Sequence, residues 1–427
     1  MKRLSSFRFL FLALGMALLF QGCLQDKCTN SYTYTAYIPV YMTYDEIRGA
    51  VASEPARDLA QPGKIFVKGD WLFINEIHKG IHVIDNSNPA NPTPVSFINI
   101  PGNVDLAVRG NYLYADSYMD LVTIDITDPT QAAEVDREMD ALPMNATVHA
   151  DSGIVVDYYT ERITEEYDCN LGLARHDVVT FETANDLAMG ATAGTPGPPA
   201  SFDVPGLGGS MAKFSLVGNY LYVIDSRDMH AYDVSTSSNP NFTSTQNVGF
   251  NIETLWGYQE HLFIGAQNGM YIYEWLNNPS DPQYISFYGH VNSCDPVVVK
   301  DDIAYVTLRS GNQCAGFTNQ LEIIDIKDVT NPTLLHTYSM HNPHGLGIDG
   351  NTLFICDNEE GLKVYDATDV SAIDQHQTDH IATVTAIDVI PVFYDDLLIL
   401  TGPDGIYQYD YTDPNNLSML SHIAVSP

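Results

Sequence analysis

The chain has 427 residues, 45% hydrophobic and 17% charged, which is the composition of a folded globular protein and excludes a disordered one. Asp and Glu number 54 against 19 Lys and Arg, giving a formal charge of −35 at pH 7. A surface that acidic repels nucleic acid and anionic headgroups, so neither is expected as an electrostatic partner.

At the start of the chain, Lys2 and Arg3 precede the apolar run Leu10 to Phe20. The run is too short to span a bilayer comfortably and reads as a signal-peptide core. Leu19-Phe20-Gln21-Gly22-Cys23 resembles a bacterial lipobox, with Phe20 and Gln21 standing where Leu and a small residue are usual. The resemblance implies that residues 1–22 are a lipoprotein signal peptide and that Cys23 carries the acyl (palmitate-type) anchor. The mature protein would then be held at a membrane without spanning it. The expected address is the cell envelope, at the outer membrane.

Residues 23–36 are polar and read as a tether. Residues 37–63 read as an extended piece, Tyr37 to Tyr41, and a short helix from Tyr44 to about Ser53, both packed on the repeats that begin at Lys64. Thr43 and Glu46 have the spacing of a capping box ahead of that helix.

From Lys64 onward one pattern recurs. Leu106 to Pro129 shows it: an apolar run, a Gly110-Asn111 turn, a second run (Tyr112 to Ala115), a loop, and a third run ending in Asp125 before an Asp-Pro turn. Runs of this length, punctuated by Gly, Asn, Asp and Pro, are strands joined by hairpins. The closing acid recurs as Asp85, Asp125, Glu182, Asp233, Glu274, Asp325, Asp366 and Asp410. A period of about 41 residues is that of a four-stranded propeller blade. The expectation is an all-β protein, an eight-bladed β-propeller over residues 64–427, with seven blades as the alternative because the third unit, Met144 to Gly208, is degenerate. In that unit a hairpin from Ala146 to Tyr159 and a third strand from Asp177 to Glu182 are separated by Glu161 to His176. A second insertion, Arg309 to Asn319, lies in the sixth unit. Both insertions join second and third strands, so both belong to the face that carries the blade-to-blade connections, where loops offer a binding surface or simply tolerate length.

Strands that end in Ile-Asp and run into Asp-Pro or Asn-Pro, as in DITDPTQAA and DIKDVTNPTLL, resemble the LVIVD repeat of bacterial envelope proteins. The resemblance covers most of residues 64–427. It implies a propeller, often secreted or lipid-anchored, and no common activity. The repeated acids themselves are suited to holding turn N–H groups.

The cysteines fit an exported chain. Cys294 and Cys314 fall on one face of the sixth unit and are expected to form a disulfide, which would be worth about 3 kcal/mol in a chain-entropy account. Cys28, Cys169 and Cys356 are left over, Cys356 inside an apolar strand. No familiar catalytic motif is present in the sequence.

Register gives one further constellation. The start of each innermost strand is occupied by Lys64, Asp105, Ala146, Lys213, Glu253, Asp295, Gly345 and Val389, with Asp388 adjacent. First strands line a propeller's channel, so Lys64, Asp105, Lys213, Glu253 and Asp295, with Arg309 from the insertion, are candidate ligand-binding residues near its mouth. They either pair with one another or hold an ion or small polar ligand. Asp105 and Asp295 are the candidate metal ligands, Ca²⁺ being the ion such oxygen donors favour. His341 and His344 are a weaker candidate pair.

Two functional classes remain open. One is an envelope-anchored binding or scaffolding module for a protein, glycan or small ligand. The other is an envelope hydrolase or lyase with its site on the propeller axis, which would need an acid/base pair with perturbed pKa values in a cleft.

Overall fold

The computed structural model describes residues 29–168, 207–290, 296–310 and 318–426. These fall into two compact bodies, one of residues 29–41 and 155–168 and the other of residues 42–154 and 207–426. The larger body is built from repeated four-stranded antiparallel sheets. In the first blade the strands are Pro62–Lys68, Trp71–Glu76, Gly80–Asp85 and Thr93–Asn99, paired in sequence order. Six more blades follow: Leu106–Glu138, Phe214–Asn247, Ile252–Gly289, Val297–Ser339, Leu346–Ile381 and Asp388–Ala424. Each is an uninterrupted run of strands one to four, innermost strand first.

The alternating pattern explains the packing. Both faces of each sheet are covered by a neighbour, so the middle strands read as nearly continuous apolar runs and are buried throughout, as in Leu72, Phe73 and Ile74. Apolar clusters join blades one, two and three, then three to four, then four, five and six, then six to seven. Ile65, Val67 and Leu72 pack with Ile390, Val392 and Leu397 between blades seven and one, so the ring is closed. Among the described residues no strand is shared across that seam. It is held by side chains and one backbone bridge: buried Asn86 and Gln408 exchange amide hydrogen bonds of 2.8 Å each way, Ser421 donates to the Pro89 carbonyl at 2.6 Å, and the backbone of Leu59 bridges that of Val425.

The propeller expectation holds, and its blade count is seven, the alternative number. Eight sheets are present, but the eighth is three-stranded and is made by Thr29–Met42, Gly153–Asp168 and Val148–His149. The third repeat unit therefore contributes no blade. Blades two and three close the gap directly: Tyr114 Oη donates to the Ser237 carbonyl at 2.9 Å, and Arg109 donates to the Gly218 carbonyl at 2.6 Å. Residues 161–168, expected as loop, continue the long strand, and the strand expected at 177–182 lies outside the described residues. Part of the expected tether is likewise a strand, since Thr29–Met42 is extended over its whole length.

The helix α1, Tyr44–Arg48, starts where the capping box placed it. Thr43 Oγ1 accepts from the Glu46 N–H, and the Glu46 carboxylate accepts from the Thr43 N–H at 2.8 Å. The helix is shorter than expected because Ala52–Pro55 pairs along Thr93–Asn99 as a fifth strand on the outer edge of blade one. Arg48 then ties the helix to blade two through Asp120 at 2.8 Å. Among the described residues no helix is long and apolar enough to cross a membrane.

The repeated acids hold turns. Asp85, Asp125, Asp233, Asp325, Asp366 and Asp410 each accept the backbone N–H two residues on, at 2.8–2.9 Å. The threonine side chains two residues on, Thr127, Thr368 and Thr412, and then those N–H bonds favour the ionised form and hold the carboxyls of Asp125, Asp366 and Asp410 below the ordinary range.

Candidate functional site

The innermost strands begin at the end of the ring that carries the blade connections and run towards the end that carries the first hairpin turns. Along the axis between these ends lies a stretch of the chain itself, Leu207 to Lys213 (LGGSMAK). Leu207 and Gly208 pair antiparallel with Val67 and Phe66, deep in the channel near the turn end. Lys213 sits at the connection end, where blade three starts.

Blade after blade holds this segment. Lys64 of blade one donates Nζ to the Met211 carbonyl at 2.5 Å. Asp105, at the start of blade two, accepts the Lys213 N–H at 2.7 Å. Leu255 of blade four donates to the Ala212 carbonyl at 2.6 Å. The Ser210 hydroxyl accepts the Leu346 N–H of blade six at 2.9 Å and donates to Asp388 of blade seven at 3.2 Å.

Lys64, Asp105 and Lys213 of the register column, with Asp388, are thus brought together around the segment, whereas Ala146 belongs to the unit that forms no blade. Lys64 and Asp105 are each 1% exposed and lie 3.6 Å apart. Burial pulls the Lys64 ammonium down to about 8, against the attraction of Asp105. Burial likewise raises Asp105, opposed by Lys64 and by hydrogen bonds from Lys213 and Leu106. Asp116, from the second strand of blade two, accepts from Asn103, Val104 and Asp105 at 2.8–2.9 Å. Burial nonetheless lifts it to about 6. Asp388 is lifted by burial to about 7. Its Oδ2 is buried and has no hydrogen-bond partner among the described residues. Gly345 is needed beside it, since a Cβ there would stand 1.9 Å from Asp388 Oδ1.

Arg309 and Glu253 also approach each other, the carboxylate offsetting part of the burial that pulls the guanidinium down. Arg309 donates to His344 Nε2 at 3.2 Å, and His344 Nδ1 donates to the Asn342 carbonyl at 2.9 Å. Both ring nitrogens are engaged, and burial beside Arg309 holds the imidazole down at about 4. His341 is exposed, so the expected histidine pair is not assembled. Among the described residues no group of three His, Cys, Asp or Glu is placed to hold a metal, and Asp105 is committed to Lys64. Asp295, Cys294, Cys314, Cys23, Cys28 and Cys169 lie outside the described residues. Cys356 is buried and unbridged in blade six.

Towards the turn end, Gly208 and Ser210 floor a pocket walled by Trp256, Tyr258, Leu346, Ile348 and Phe393, with Lys300 among its lining. Phe393 is 42% exposed at this mouth, and the Tyr258 hydroxyl is fixed by accepting the Asp301 N–H at 2.9 Å. Neither this pocket nor the crossing segment was found by sequence reasoning. Gly208, Gly209 and Ser210 ahead of an inner strand were the available signal, and small residues carry no periodicity.

The LVIVD repeat family model matches residues 62–99, 102–140, 208–248 and 293–340. The chain carries LVIVD repeats. The four matches coincide with blades one, two, three and five, and the third begins within the crossing segment. No curated protein matches the chain. In structure, the LVIVD-repeat chain is similar to the periplasmic gluconolactonase PpgL of Pseudomonas aeruginosa: TM-score 0.51, 10% identity, covering 86% of this chain and 96% of that one. It is similar too to the computationally designed protein Ika8, with TM-score 0.50, 10% identity, and coverage of 86% and 87%. At such identity these likenesses show the fold alone.

Proposed function

We propose that this LVIVD-repeat propeller is a binding or scaffolding module, lipid-anchored through Cys23 at the cell envelope, that receives its partner at the turn end of the channel. The observation that carries this reading is the pocket there. Apolar walls from four inner strands, an exposed Phe393 and one cation give concave, half-dry surface of the kind that binds ligands. The periplasmic gluconolactonase fold-likeness keeps an axial hydrolase or lyase in view, since Lys64 and Asp388 have the perturbed titration such chemistry uses. Both groups are 1% exposed beneath the crossing segment, which favours binding over catalysis.

The test is site-specific photo-crosslinking in intact envelopes, from a probe at Phe393 and from a control probe at Met419 on the outer edge. An adduct formed from Phe393, absent from Met419 and lost on Lys300→Glu supports the reading. Identical adducts from both positions, or none from Phe393, overturn it.

A further inference from the structure

At the centre of the crossing segment the Ser210 hydroxyl joins blades six and seven, and the group that receives it is a carboxyl with an unsatisfied oxygen. We propose that Asp388 and Ser210 form a proton-operated latch, in which the protonated carboxyl keeps the segment across the channel and the ionised carboxylate loosens it.

The geometry sets the direction. Ser210 Oγ is fully engaged, accepting from Leu346 and donating to Asp388 Oδ1. Asp388 Oδ2 is buried with no donor facing it among the described residues. A neutral carboxyl is tolerated there, whereas an ionised one carries charge on an oxygen that neither protein nor solvent meets. Moving Ser210 aside admits water to that oxygen at the cost of the Ser210 hydroxyl and N–H bonds to the carboxyl, while the Val389 N–H bond, made within blade seven, stays in place. The charged and titratable groups around Asp388 come from separate elements. Lys64 of blade one attracts it, and Asp105, Asp116 and Lys213 surround Lys64 in turn. On the other side stands the Cys356 thiol of blade six, itself pushed up by burial and by Asp388.

The sign follows from proton binding. Burial raises Asp388 in the folded chain, so the latched state holds a proton that the open state releases. Latching is therefore favoured at acid pH and weakens as pH rises through about 7. Because Ser210 and Gly208 also floor the pocket, opening would deepen that pocket towards the charged end of the channel. This biological use rests on the binding reading; the latch itself does not.

The experiment is amide hydrogen exchange by mass spectrometry on the unliganded protein, following the peptide that contains Ser210–Lys213 after correction for intrinsic rates. Between about pH 5.5 and about pH 8 the protection factor should fall about tenfold, and Asp388→Asn should remove the dependence. Ser210→Ala provides an independent arm, because without the hydroxyl the segment should be poorly protected at both pH values. A protection factor that is flat with pH in the parent chain overturns the latch, as does a pH dependence that survives in Asp388→Asn or Ser210→Ala. Failure of the Phe393 crosslink would leave these outcomes unaffected.

Discussion

Replacing Lys64 by Met tests whether the axial charges are a structural pair. At the observed 3.6 Å, the attraction between Lys64 and Asp105 is about 5 kcal/mol for an effective dielectric constant of about 20. Removing the ammonium also removes its own burial cost, so that figure is not the expected loss. What remains is Asp105, 1% exposed, with N–H donors from Leu106 and Lys213 but no cation in contact. Orphaning one member of a buried pair costs about 3–5 kcal/mol, and for a chain of this size about 4 kcal/mol lowers the melting temperature by about 5 °C. The double variant Lys64→Met with Asp105→Asn should recover most of the loss, because no net charge then stays buried. The pH dependence has a definite sign. Lys64 pulls the Asp105 pKa down, so its removal raises an already raised value, and the folded variant holds a proton over a wider range. The deficit should therefore be smaller at about pH 5.5 than at about pH 8. Thermal and urea unfolding of the three proteins at both pH values provide the readout. A double variant as unstable as the single one, or a single variant within about 1 kcal/mol of the parent, would refute the reasoning.

Other expectations are more local. Asp116→Ala should cost about 3 kcal/mol or more in urea unfolding, since it strands three donors, whereas Asp116→Asn should cost less. At the seam, Asn86→Ala and Gln408→Ala should each destabilise, and a double-mutant cycle should show coupling of about 1 kcal/mol; strict additivity would mean that the reciprocal amides contribute nothing together. Cys23→Ala should leave the protein unacylated and free it from membranes on fractionation, and unchanged retention would count against the anchor. Non-reducing peptide mapping of protein from its native compartment should recover Cys294 and Cys314 in one linked species rather than as two thiols.

The blades were legible because their signals are local. A Gly-Asn turn at 110–111, an acid at Asp125 and the proline after it repeat at fixed spacing, and each fixes its own hairpin. That fixed spacing also made the axial column readable, and Lys64, Asp105 and Lys213 converge as register required. The third unit misled for the same reason. Its hairpin has an ordinary strand pattern, but which sheet a strand joins is decided by distant partners, here Thr29–Met42. The half of that partner before Tyr37 reads as tether from its polar letters, although Tyr and Thr alternating through Ser31 to Tyr37 is sound strand chemistry. His341 and His344 were paired on sequence proximity alone, and burial separated them: one ring points to solvent while the other is consumed by Arg309 and Asn342.

The route from Leu207 to Lys213 also constrains how the protein can be made. Most repeat arrays can nucleate anywhere and grow by adding neighbours. Here a strand of the same chain occupies the hole, and blades one, two, four, six and seven are all bonded to it. A ring that shut first would have to be reopened to admit it, since chains rarely thread closed loops. The join between blades one and seven is then the last to zip. Pulse-labelled refolding should protect the Ser210–Lys213 amides no later than the Ser426 amide, which donates to Leu59 across that join at 2.7 Å. The reverse order would mean that the chain finds its way through a finished ring.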